Sequence, residues 1–215
     1  MKTIILNLRG LQSWGSSNKH VQRETRGDPT FSGVIGMICS GAGVRPESDE
    51  AAEFRGLSMA VRVQLEGRKL CDYQTARGFR NIADISTALN IQVWKYYLSD
   101  ACFLVALSGK NRVIESVEKA LTYPKYHLYL GRMAFPPCSP IVVCTMDGSN
   151  PHKALLDIKN DFLEERGILP KLSPGDDSAK RYVVLSKSPS VSSEKIKDMP
   201  TSDGYAVRIV DHVHQ

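Results

Sequence analysis

The 215-residue chain is predicted to fold as an α+β protein, a βαββαβ domain followed by a smaller lobe. Three observations predict this. Apolar runs of period two alternate with stretches at helical spacing through residues 1–146. Strand-like runs return after residue 180, between loops rich in Ser, Pro, Asp and Lys. The 42% hydrophobic content is sufficient for a packed core.

The elements follow in order. Residues 3–8 form a β-branched and leucine run that stops at Arg9-Gly10, a first strand. The polar stretch 10–31 exceeds an ordinary connection and is rich in Gly, Ser, Asn, Arg and Thr, which marks a functional loop. Val34, Met37, Ile38 and Ala42 then recur at helical spacing, with Thr30 or Ser32 as N-cap and Gly41 or Gly43 near the end. Residues 57–66 alternate with Met59, Val61, Val63 and Leu65 on one side, and Gly67 is placed to turn them into a hairpin with a strand through Leu70 and Tyr73. Residues 76–95 lack clean periodicity, mixing Arg77, Phe79, Arg80, Trp94 and Lys95 with polar residues, and read as an insertion leaving the core. Residues 101–107 return as a buried strand. Val113, Ile114, Val117, Ala120 and Leu121 share one helical face, and Pro124 stops that helix. Residues 126–130 and 141–145 read as further strands. This is a ferredoxin-like order over residues 1–146, with a β-rich lobe over 147–215 that carries a helix at 152–158 and strands at 181–185 and 205–210.

Several function classes are excluded. No run of 18 apolar residues exists, and Asn7 and Arg9 interrupt the N-terminal apolar run, so a cytoplasmic protein without a membrane partner is expected. Five cysteines, at 39, 71, 102, 138 and 144, show no C-x-x-C spacing, and the five histidines are scattered. No metal or cofactor is therefore expected. Gly41-Ala42-Gly43 lacks the last glycine of a dinucleotide loop, and no Walker loop or nucleophile elbow is present.

Charge is informative through its placement. The net +5 is modest, but residues 1–46 hold six basic and two acidic side chains and residues 66–132 hold ten and six. Two separated basic stretches suit phosphate contacts if folding joins them. Arg23, Thr25 and Arg26 lead through Pro29-Thr30-Phe31-Ser32-Gly33 into the first helix, whose amide N–H groups and dipole attract anions. Arg77, Phe79, Arg80 and Trp94 combine cations with rings that can stack on unpaired bases. Tyr123, Lys125, Tyr126 and His127 offer a base and a cation of the kind metal-independent RNA cleavage needs, with strand alternation placing Lys125 and His127 on one face.

The same segments resemble one family. Gly10-Leu11-Gln12-Ser13-Trp14-Gly15, Arg23-Glu24-Thr25, Pro29-Thr30-Phe31-Ser32-Gly33-Val34-Ile35-Gly36, Asp72-Tyr73-Gln74-Thr75, Tyr97-Leu98-Ser99-Asp100-Ala101 and Tyr129-Leu130-Gly131-Arg132 are similar to the type I-E Cascade members of the fifth CRISPR-associated family, which are RAMP proteins. The resemblance covers residues 3 to about 145. It implies an RRM-like fold with a thumb-like insertion at about residues 76–95, and a non-catalytic role in antiviral defence. In that role the chain caps the 5′ handle of the CRISPR RNA and contacts the backbone and large subunits of the ribonucleoprotein complex, with target DNA met only in the assembled complex. At the matching positions it implies RNA contacts from Gln12, Trp14, Arg23, Thr25, Arg26, Thr30, Ser32, Gly33, Tyr73, Thr75, Arg77, Arg80, Gly131 and Arg132. The related type I-C member cuts repeat RNA with a tyrosine, lysine and histidine set. Lys125 and His127 are therefore the residues that discriminate holding from cutting.

Overall fold

The computed structural model describes residues 1–15, 21–81, 84–168, 181–186, 193–201 and 204–214, with side chains for 1–15, 21–76, 90–159 and 161–168. The elements run β1 (Lys2–Gln12), β2 (Gln22–Arg23), α1 (Phe31–Ala42), α2 (Asp49–Arg55), β3 (Ser58–Leu65), β4 (Arg68–Asn81), β5 (Asp84–Gly109), α3 (Asn111–Thr122), β6 (Val142–Asp147), α4 (Pro151–Asp157), α5 (Asn160–Glu165), β7 (Arg181–Ser186), β8 (Ser193–Thr201) and β9 (Gly204–His214).

One sheet has the order β6-β1-β5-β3-β7-β9-β8, with β2 and β4 attached to β5. Its first four members are the antiparallel array of a ferredoxin-like fold, in which the first and third core strands are central. Helices α1 and α3 cover one face. There Ile4, Leu6, Leu8, Val61, Phe103 and Val105 meet Val34, Ile38, Ile114 and Val117. The other face is covered by Ala154, Leu155, Ile158 and Leu163, packed on Ile5, Ala60, Leu104 and Ala106. Burial on both faces explains why β1 reads as a continuous apolar run rather than an alternation. On β3, Arg62 is 2% exposed and donates to the Leu155 carbonyl at 2.8 Å, one of the C-terminal acceptors that α4 cannot satisfy itself.

Both long helices occupy the expected residues. Thr30 caps α1 and Gly43 ends it, and α3 buries Val113, Ile114, Val117, Ala120 and Leu121. The expected hairpin at Gly67 is corrected. Strands β3 and β4 do not pair with each other; both pair with β5, β3 along residues 102–108 and β4 along residues 84–99. Gly67, at φ +75°, lies against the β5 backbone, where a Cβ would come within 2.4 Å of the Ser99 carbonyl oxygen. It kinks one arm of a long ribbon instead of reversing the chain. Residues 76–81 and 84–95 thus belong to that ribbon, whose arms are β4 and β5.

The strand expected at 126–130 is also corrected. Those residues are irregular, with bends at 126 and 130; the Leu130 carbonyl accepts from Ser13 N and the Leu130 amide donates to Phe135 O, so Leu130 takes part in no ladder. Two short helices, α2 and α5, and the strands β2 and β8 were not anticipated. In the tail, α4, β7 and β9 lie where a helix and two strands were expected, and β7 pairs with β3.

Candidate nucleic-acid interface

The end of β1 organises the polar loop behind it. Gln12 is fully buried; its amide donates to the Leu8 and Ala101 carbonyls at 2.9 Å each and its oxygen accepts the Trp14 indole N–H at 3.1 Å. Trp14, 1% exposed, donates its backbone N–H to the Thr25 hydroxyl at 2.8 Å, and its carbonyl accepts from Arg26 N at 2.6 Å. The Thr25 hydroxyl donates to the Arg26 carbonyl. These bonds fasten residues 22–26 to the sheet. Gly33 lets the indole rest on the start of α1, since a Cβ there would sit 2.8 Å from a Trp14 ring carbon.

The helix start is already capped. The Thr30 hydroxyl accepts from Gly33 N at 3.2 Å, and Arg26 is paired with Asp28 at 3.9 Å with both side chains largely buried. Gln12, Trp14, Thr25 and Thr30 therefore spend their polar groups inside the protein. Ser32 and Gly33 remain half-buried at the surface.

A cationic cluster stands beside this scaffold. Strand β2 pairs in parallel with β5, setting Arg23 alongside Lys95. Arg23 is exposed and makes no ion pair among the described residues. From the other side comes Arg132, delivered by Gly131 at φ +86°, where the chain passes so close to β1 that a Cβ would lie 1.7 Å from the Ser13 carbonyl oxygen. The Arg132 guanidinium donates to the Tyr96 carbonyl at 2.9 Å and lies 5.6 Å from the Phe135 ring, which itself contacts Tyr97 at 5.4 Å. Burial, and after it the like charge of Arg23, hold the Arg132 guanidinium below its ordinary pKa, while Asp72 opposes this. Lys95 donates to Gln74, which donates to Asp72, so that carboxylate is already shared on the same face of the ribbon. Two guanidiniums near enough to feel each other's charge, beside a carboxylate that is already shared, attract an anion, and their planar donor forks match phosphate oxygens. Sequence reasoning missed Lys95 and Asp72 as members of this cluster; period-two alternation from Tyr97 places Lys95 on its face, whereas Asp72 joins it only through the β4–β5 register.

The opposite face of the ribbon carries Tyr73 and Thr75. Tyr73 opposes Trp94 with ring centroids 5.4 Å apart, and Lys69 lies 4.6 Å over Tyr96 while paired with Glu24 at 2.6 Å. Thus the structure divides the expected RNA-contacting residues. Arg23 and Arg132 come together, Tyr73 and Thr75 lie behind them, and Arg77 and Arg80 follow on the distal part of β4, where side chains are outside the described residues.

Tyr123, Lys125, Tyr126 and His127 are all exposed, and no hydrogen bond or ion pair joins them among the described residues. Lys125 donates its amide to the Gly41 carbonyl at 2.7 Å and lays its stem on Gly43. That anchor is at the C-terminal end of α1, a 12-residue helix and hence about 18 Å from its Thr30 end. The alternation that grouped Lys125 with His127 does not apply to a segment that is not a strand. Among the described residues no His, Cys, Asp or Glu cluster is fit to hold a metal, and no helix is long and apolar enough to cross a membrane. Burial raises the Cys102 thiol to about 11, leaving it protonated and unreactive near neutrality.

Comparison with known proteins gives a consistent set of similarities. Residues 3–210 match the family described as CRISPR-associated protein (Cas_Cas5). The chain is 34% identical over 187 residues to the CRISPR system Cascade subunit CasD of Escherichia coli (strain K12), across 77% of this chain and 82% of that one. A chain of the solved structure described as a CRISPR RNA-guided surveillance complex superimposes with TM-score 0.76 and 26% identity, covering 99% of this chain and 90% of the other. Another, described as the crystal structure of a Cas protein, gives TM-score 0.65 and 25% identity, covering 99% and 94%.

Proposed function

The chain belongs to the Cas5 family of CRISPR-associated proteins, and we propose that it is a non-catalytic, CRISPR RNA-binding subunit of a type I-E Cascade surveillance complex in antiviral defence. The observation that carries this reading is the Arg23–Arg132 pair, fixed by β2, β5 and the Gly131 loop with charge left to neutralise. An RNA phosphate is the ligand that such a pair recognises. The RNA is the 5′ handle of the guide, and the backbone and large subunits are the protein partners. Naming of the E. coli relative as a Cascade subunit, and the surveillance-complex match, support those partners. Target DNA is read by guide base pairing, so this chain needs only the shape, sequence and 5′ end of the handle.

In this mechanism the buried residues position and the exposed ones contact. Gln12, Trp14, Thr25 and Thr30 hold the 22–33 segment, Gly131 aims Arg132, and the two guanidiniums clamp a phosphodiester. Lys125, Tyr126 and His127 are exposed and no hydrogen bond or ion pair joins them among the described residues, so no base is oriented there, which favours holding RNA over cutting it. The chain is tested by incubating it with end-labelled repeat RNA in chelator and running native and denaturing gels. Shifted but intact RNA is the expected result. A discrete product that disappears in His127→Ala would overturn the non-catalytic assignment and establish a metal-independent endoribonuclease.

A further inference from the structure

The aromatic pair behind the guanidinium cluster has no part in the phosphate clamp. Tyr73 and Trp94 are directly opposed across β4 and β5, their rings tilted by 55°. Such a cross-strand pair stabilises a ribbon. Yet Tyr73 remains 53% exposed and Trp94 half-buried. Around them on the same face, Lys69, Cys71, Thr75 and Gln92 are exposed and polar or small. Tyr96, the next ring along this face of β5, is covered by Lys69 at 4.6 Å, so the rings left open are Tyr73 and Trp94. A protein-docking face has a contiguous apolar centre, whereas two open rings bordered by polar side chains suit a single planar ligand. Strand β4 pairs only with β5 among the described residues, so a polynucleotide held by Arg23 and Arg132 can pass round the open edge of β4 onto the rings.

We infer that the Tyr73–Trp94 pair is a stacking platform for one unpaired nucleobase of the strand whose phosphate the Arg23–Arg132 pair holds. This rests on the RNA-binding reading and adds to it a second contact of different chemistry on the other face of the ribbon. Stacking uses the π-face common to all bases, so the platform tolerates any base. The guanidiniums set the affinity through charge, and the rings add a contact that salt does not screen.

The test uses the full chain with a uridine 12-mer and with a 12-mer of abasic ribose phosphates. Trp14 and Trp94 are the two tryptophans, and since Trp14 is 1% exposed, quenching of the emission reports Trp94. The uridine oligomer is expected to quench Trp94 and the abasic one to bind without quenching. Tyr73→Leu, which keeps an apolar partner for Trp94, is expected to weaken uridine binding by about ten-fold with an unchanged salt slope and to leave abasic binding as it was. Tyr73→Phe is expected to restore it. If Tyr73→Leu binds both oligomers like wild type while Arg23→Ala weakens both, the platform is overturned, the phosphate clamp stands and the face is left to a protein partner. If wild type binds neither oligomer, the RNA-binding reading itself falls and the platform with it.

Discussion

Replacing Trp14 with alanine is expected to lower stability by about 3–5 kcal/mol, the cost of a cavity left by a fully buried indole. The loss extends beyond packing. The indole N–H leaves the Gln12 oxygen without its donor, and the start of α1 loses the ring that lies on Gly33. Arg23 would then no longer be held beside Lys95, so RNA binding is expected to fall together with the melting temperature. Arg23→Ala makes the contrast. Its exposed side chain has no ion pair among the described residues, so stability is expected to stay within about 0.5 kcal/mol of wild type while binding drops. Denaturant melts followed by circular dichroism, with filter binding on the same samples, separate the two behaviours. A Trp14→Ala variant that melts like wild type would show that the indole does not anchor this segment.

Gly131→Ala is the second large effect. At φ +86° an added Cβ meets the Ser13 carbonyl oxygen at 1.7 Å, so the loop must withdraw from β1, breaking the bond from Ser13 N to Leu130 O. Backbone strain of this kind alone costs about 1–3 kcal/mol, and the forced movement adds to it. Because Arg132 follows directly, RNA binding is expected to fall as far as in Arg132→Ala. Gly167→Ala is the matched control. Its φ is +63° with nothing within 4 Å of a Cβ, so it is expected to cost about 1 kcal/mol and leave binding unchanged. Equal binding by Gly131→Ala and wild type would mean that the close approach to Ser13 does not aim Arg132.

Much of the fold was legible because periodicity reports burial. The five buried residues of α3 are those that spacing put on one face, and Thr30 and Gly43 bound α1 as capping chemistry requires. Helix α2 was hidden because only Ala51 and Phe54 are buried in its seven residues, too few for a period, although Ser48 with Asp49 and Glu50 is a start signal. Alternation shows which face a strand buries but not its partner, so β3 and β4 read as a hairpin when both pair with β5. Residues 126–130 have strand-like composition, but the Leu130 backbone bonds to Ser13 and Phe135 through contacts that no local pattern records.

The candidate site was legible in part. Arg23 and Arg132 were both picked out by motif, whereas their proximity depends on β2 lying parallel to β5 and on Gly131 lying against Ser13, just past the end of β1. Gln12, Trp14 and Thr25 were picked out by the same motifs, and their chemistry proves to be internal: each satisfies buried groups of the loop it shapes. Polar residues in a motif announce a constraint without saying whether it faces a ligand or the core.

The central claim, that Arg23 and Arg132 hold RNA phosphate, is tested most directly by the salt dependence of repeat-RNA binding. Each single-strand phosphate contact contributes about −0.7 to the slope of log K against log salt concentration. Arg23→Ala and Arg132→Ala are each expected to flatten the wild-type slope by about that amount, and the double variant by about twice as much. Arg26→Ala, whose guanidinium is paired with Asp28, is expected to leave the slope as it is. An Arg23→Ala, Arg132→Ala double variant with the wild-type slope would contradict the claim.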